Sequence, residues 1–243
     1  MKIISKVTIH PMCYIIALIC VLIGYFKPFL IVTSIILIHE LGHIIMALIL
    51  KWNIEKIIIL PVGGLTKFNE CLNRPIIEEF LIAISGPIFQ IIFYFLFKDK
   101  FDLFYYHYLI LAFNLIPVYP LDGSKILNLF FNKITNFKFS YLLTIKISYF
   151  IMISIILLSV IYKNLLITCI FLILLVQLYK EYKKLNYIFN KFCLERYLND
   201  IYFKHTKIIK GNNIYKMKRD YYHFFYINGK FIKEKSYLNK YFE

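Results

Sequence analysis

Two histidines and a glutamate stand where charged groups are costly. The apolar run 28–50 contains Ile38-His39-Glu40-Leu41-Gly42-His43, a match to H-E-x-x-H. Residues four apart lie on one face of a helix, one above the other. His39 and His43 can therefore present two imidazoles to one metal ion, with Glu40 beside them as a candidate general base. Ionisable side chains inside an apolar helix are rare unless they do a job. The bland alternative, polar side chains packed in a helix core, leaves three such groups each needing its own partner.

The rest of the chain has the same character. Of 243 residues, 60% are hydrophobic, against roughly half in a soluble domain. Phe and Tyr are abundant at 24 and 21, and Gly is scarce at 8. This is the profile of an integral membrane protein. Six apolar stretches, 12–26, 28–50, 75–97, 103–119, 141–162 and 164–179, predict an α-helical polytopic protein of about six transmembrane helices. Very short links make spans one and two, three and four, and five and six antiparallel hairpins. Lys2 and Lys6 before the first run resemble a signal peptide. With no small-residue cleavage site after it, the run reads as an uncleaved span.

Charge sets the orientation. With the N-terminus in the cytoplasm, Lys2, Lys6, Lys51, Lys56, Lys67, Arg74, Lys125, Lys133, Lys138 and the tail fall inside, and Lys27, Lys98, Lys100 and Lys163 outside. Both termini are thus expected in the cytoplasm. Net charge is +6 over residues 1–179 and +9 over 180–243. A basic tail after a span contacts anionic lipid or is solvated, and no nucleic acid is expected as a partner. Cys13, Cys20, Cys71, Cys169 and Cys193 form no C-x-x-C pair and read as free thiols.

Between the second and third spans, the β-branched run 54–60 and Pro61-Val62-Gly63-Gly64-Leu65 predict a short membrane-associated strand, a Gly-Gly turn and a return strand. This is either a plain surface turn or an open strand edge to which an extended peptide could add. Ser85-Gly86-Pro87 in the third span reads as a kink and is assigned no chemistry.

A catalytic zinc takes three protein ligands and keeps a fourth position for water. Asn114-Leu115-Ile116-Pro117-Val118-Tyr119-Pro120-Leu121-Asp122-Gly123 offers the third. Asp102, the other carboxylate beside an apolar segment in this region, lies on the opposite side in the orientation above. Pro117 and Pro120 break the helix and free carbonyls that are tolerated only in a buried or wet setting. Asp122 can also be read as the N-cap of a helix starting at Gly123.

H-E-L-G-H, the Gly-Gly strand, S-G-P and N-x-x-P-x-x-P-L-D-G together resemble the site-2 protease family of intramembrane zinc metalloproteases. The resemblance covers roughly residues 11–179. It implies one Zn2+ held by His39, His43 and Asp122, with Glu40 as the base. Asn114 matches the Asn that opens the second motif and orders the site. Gly63, Gly64, Pro117 and Pro120 are its candidate substrate-binding or site-ordering positions. Compact size and six spans with both ends inside are similar to the sporulation branch. That branch processes a mother-cell sigma-factor precursor, pro-sigma-K, in the membrane around the forespore, and inhibitory membrane proteins hold it silent. Ser124 stands where the family often has a second Gly. The tail is too short for the paired nucleotide-sensing domain some relatives carry.

Two domains follow: a six-span protease domain, 1–179, and a basic cytoplasmic module, 180–243, of a helix followed by small β-hairpins. Asn228-Gly229 signals one hairpin turn. The module is a candidate dock for the cytoplasmic part of a substrate, and His205 and His223 are read as structural. Competing functions are cleavage of an anti-sigma or transcription factor, a zinc transporter and an idle scaffold. A transporter would need polar residues through several spans, and spans one, five and six offer almost none. Intact Glu40 argues against a scaffold.

Overall fold

The computed structural model describes residues 7–9, 11–60, 63–68, 72–97 and 103–242. Lys2, Lys6, Pro61, Val62, Cys71, Lys98, Lys100 and Asp102 lie outside these. The chain divides into two compact units, Met1–Glu70 with Leu81–Leu115, and Cys71–Phe80 with Ile116–Glu243.

The first unit holds β1 (Val7–Ile9), α1 (Pro11–Leu22), α2 (Phe26–Ile49), β2 (Ile54–Leu60), β3 (Gly63–Phe68), most of α3 (Ile76–Phe97) and α4 (Leu103–Leu115). On α2, Ile31, Ile35, His39, His43 and Ala47 are buried at a spacing of four, the stripe a helix turns toward a neighbour. The opposite side exposes Leu37, Leu41, Ile45 and Leu48. An apolar outer face on an apolar helix suits lipid rather than water.

The strand pair after α2 forms, with a difference. Gly63 and Gly64 pair with Leu60 and Ile59, so they open the return strand rather than make the turn. A further strand joins them, since β1 runs parallel to β2 with Val7 opposite Ile57. The sheet order is β1-β2-β3, and among the described residues β3 keeps one edge unpaired. Ala47, Trp52 and Ile82 bury themselves together with Phe68 of β3.

The second unit holds the first turn of α3, then α5 (Asp122–Ile134), α6 (Phe137–Ile161), α7 (Leu165–Leu198), β4 (His205–Lys210), β5 (Tyr221–Ile227), β6 (Lys230–Lys233) and α8 (Glu234–Phe242). α6 and α7 are joined by three residues, and the Asn164 side chain caps α7 by accepting from Ile167 N at 3.2 Å. α7 runs on past its apolar half into a polar second half. There Phe192 stacks on Phe137 of α6 at 4.1 Å between ring centroids. β4 lies parallel to β5, whereas β5 and β6 form a hairpin through Asn228 and Gly229, both at positive φ.

Four helices are long and apolar enough to cross a membrane among the described residues: α2, α3, α6 and α7. α1 has 12 residues and α4 has 13. At about 1.5 Å per residue each is shorter than the roughly 30 Å hydrocarbon core.

Candidate metal centre

His39 and His43 are the centre of the site. Both are buried, at 2% and 6% exposure, and their Nε2 atoms stand 3.2 Å apart. Their outer nitrogens fix the tautomers. His43 Nδ1 lies 2.7 Å from the carbonyl oxygen of Ile82, which can only accept. His43 therefore carries its proton on Nδ1. His39 Nδ1 lies 3.0 Å from Gln90 Oε1, while Gln90 Nε2 donates to the carbonyl of His107 at 3.0 Å. Because that carbonyl can only accept, the Gln90 amide has one orientation, and its oxygen faces His39. His39 is then also protonated on Nδ1. Both Nε2 atoms are left with lone pairs, and two lone pairs this close are stable around a shared cation. This is how a metal-binding histidine is prepared, its second nitrogen tied to an amide or carbonyl.

α3 supplies these contacts with one stripe. Ile82, Gly86 and Gln90 are spaced by four and so face the same way. Gly86 leaves open the space beside the imidazoles: a Cβ there would lie 2.9 Å from His39 Nε2 and closer still to the His43 ring. Gly42 does the same for the helix pair, since a Cβ there would stand 2.6 Å from the Ser85 carbonyl oxygen. The S-G-P segment, assigned no chemistry from sequence, thus borders the imidazoles directly. Gln90 was missed altogether. Its signal was a lone amide in an apolar helix, four residues after Gly86.

Glu40 follows His39 on α2 and is half-buried. Asn114 is near the last turn of α4, and Pro117 and Pro120 stand in the segment between α4 and α5. Asp122 is the first residue of α5, not its cap, which is Leu121. It is buried at 7% exposure and pairs with Lys125 at 2.8 Å. Gly63 and Gly64 lie in β3.

An apolar helix that carries two prepared imidazoles and a carboxylate defines a membrane metalloenzyme, and the comparisons name its class. Residues 28–98 match Peptidase family M50. The chain is 36% identical over 210 residues to Stage IV sporulation protein FB of Bacillus subtilis, spanning 81% of this chain and 73% of that protein. It is 32% identical over 106 residues to Zinc metalloprotease MJ0392 of Methanocaldococcus jannaschii, spanning 38% and 30%. Among solved structures, the Site-2 Protease from Methanocaldococcus jannaschii has a TM-score of 0.54 at 23% identity, over 72% of this chain and 89% of that one, a likeness of fold. The chain belongs to peptidase family M50, the site-2 proteases. It is an integral membrane metalloprotease, its cofactor is zinc, and its substrate class is membrane proteins.

Proposed function

We propose that this protease cleaves a peptide bond in or near the membrane segment of a membrane-associated protein, with His39, His43 and Asp122 as zinc ligands and Glu40 as general base. The observation that carries the reading is the pair of Nε2 lone pairs 3.2 Å apart, with both Nδ1 positions already committed. Asp122, a buried carboxylate at the start of α5, is read as the third donor on the strength of the motif it closes. When bound, zinc supplies a water of pKa lowered toward about 7 and polarises a carbonyl. Glu40 accepts the proton of the attacking water and returns it to the leaving amine nitrogen. The open edge of β3, with Gly63 and Gly64, offers main-chain groups to an extended peptide. Asn114, Pro117 and Pro120 order the approach to Asp122.

α1 and α4 are read as two further crossings, giving six spans with both termini cytoplasmic, in keeping with the lysine distribution. The substrate is read as a sporulation sigma-factor precursor, pro-sigma-K, processed in the mother-cell membrane. The likeness to Stage IV sporulation protein FB supports this. Inhibitory membrane proteins and anionic lipid at the basic tail complete the expected partners. Purified Glu40→Gln retains zinc and loses cleavage of a co-expressed tagged precursor; a Glu40→Gln enzyme that still cuts would overturn the role of Glu40.

A further inference from the structure

Residues 116–121 carry the chain from the end of α4 to Asp122. Two prolines in this segment remove backbone donors, so its position depends on what grips it from outside. Two short turns bond within it, Val118 N to Ile116 O at 2.7 Å and Leu121 N to Val118 O at 2.8 Å. Ser148 of α6, fully buried, supplies the external grip. Its Oγ donates to the carbonyl of Pro117 at 3.2 Å and accepts from Tyr119 N at 3.3 Å.

That use of a helix hydroxyl is unusual in its own helix. Ser and Thr side chains within helices commonly donate back to a carbonyl one turn earlier. Ser140, Thr144, Ser154 and Ser159 of α6 all do so, to Asn136, Ser140, Phe150 and Ile156. Ser148 instead donates out of its helix, to the Pro117 carbonyl. One face of the same helix adds a second hold. Tyr141, seven residues earlier and so two turns away, donates its hydroxyl to Glu181 of α7. The Tyr119 hydroxyl hydrogen-bonds the same carboxylate. The segment is thus held at its backbone by α6 and at a side chain by α7.

We infer that Ser148 is a positioning residue of the protease, backed by Glu181, and that it fixes the segment that delivers Asp122 to the metal. This rests on the reading of Asp122 as a ligand. A misplacement of about 1 Å in a catalytic array costs on the order of 100-fold in rate. Loss of a partner that orients a ligand costs about 10- to 100-fold in metal affinity.

The test is zinc affinity of the purified full chain in detergent, by chelator competition, alongside cleavage rate. Ser148→Ala is expected to bind zinc about 10-fold or more weakly, Ser148→Thr to restore binding, and Ser159→Ala, a buried serine elsewhere on α6, to bind as wild type. Asp122→Asn should weaken binding as well. Wild-type affinity in Ser148→Ala beside a weakened Asp122→Asn overturns the inference. So does equal weakening of Ser148→Ala and Ser159→Ala, which marks a general packing defect. Wild-type affinity in Asp122→Asn overturns the ligand reading beneath it.

Discussion

Gln90 decides which nitrogen of His39 is left for a metal. Its amide is oriented by the His107 carbonyl and in turn orients the imidazole. Gln90→Leu removes the acceptor at His39 Nδ1, and zinc affinity should fall about 10- to 100-fold. Metal content after dialysis against a weak chelator checks this, and undiminished zinc would count against the relay. The histidines were legible in the sequence because their spacing is local and their setting is hostile to charge. Gln90 and the Ile82 carbonyl were not. Their contacts cross from α3 to α2, and sequence spacing within one helix carries nothing about which residues of a neighbour it meets. The same holds for Gly63 and Gly64, whose strand pairing the composition alone read as a turn.

At the level of elements, the closeness of α2 and α3 makes the site. Gly42 and Gly86 are the two positions where a side chain would separate them or crowd the imidazoles. Gly42→Ala pushes a methyl against the Ser85 carbonyl, a backbone atom that cannot swing aside. Overpacking of this kind costs about 1–3 kcal/mol, so thermal unfolding in detergent should show a lower midpoint together with reduced cleavage. An unchanged midpoint would argue that the helices part easily. Gly86→Ala should act differently, displacing zinc through crowding of the His39 and His43 rings. The long helices α2, α3 and α6 follow the apolar runs closely, and α7 begins with the last run and continues beyond it as a polar helix to Leu198. α5 shows in the sequence only as a helix start at Gly123, one residue late: its amphipathic thirteen residues follow a proline-broken segment and carry no membrane-length apolar run. The parallel pairing of β1 with β2 joins residues some fifty positions apart, beyond the reach of local pattern.

The C-terminal module contains a polar centre of its own. Arg196, His223 and Glu234 are all buried and mutually bonded, with Arg196 Nη1 3.1 Å from Glu234 Oε1 and His223 Nδ1 2.9 Å from Glu234 Oε2. Burial lowers the pKa of His223 from its ordinary 6.5, against the pull of Glu234. Burial raises that of Glu234, but the His223 hydrogen bond and the Arg196 charge outweigh it, and the net shift is below the ordinary 4.5. Both groups bind fewer protons folded than unfolded, so stability rises with pH. It should be complete above about 6.5, fall first through His223, and fall again below about 4.5 through Glu234. Hydrogen exchange of β5 in the full chain, followed from neutral pH downward, checks the sign. Protection that grows on acidification would contradict it.

The same module holds the beginning of α3. Arg219 pairs with Glu79 at 2.6 Å and donates to the Arg74 carbonyl at 3.0 and 2.9 Å, and Asp220 accepts from Ile76 N at 3.2 Å. These partners leave the ribosome far apart in time. At 5–20 residues per second, about 140 residues of further synthesis separate them, roughly 7 to 30 seconds. Through that interval the first turn of α3, the helix that carries Gly86 and Gln90, lacks its Arg219 and Asp220 partners. Assembly of the protease is therefore timed by translation: its third helix is secured at that end only after Arg219 and Asp220 have been made.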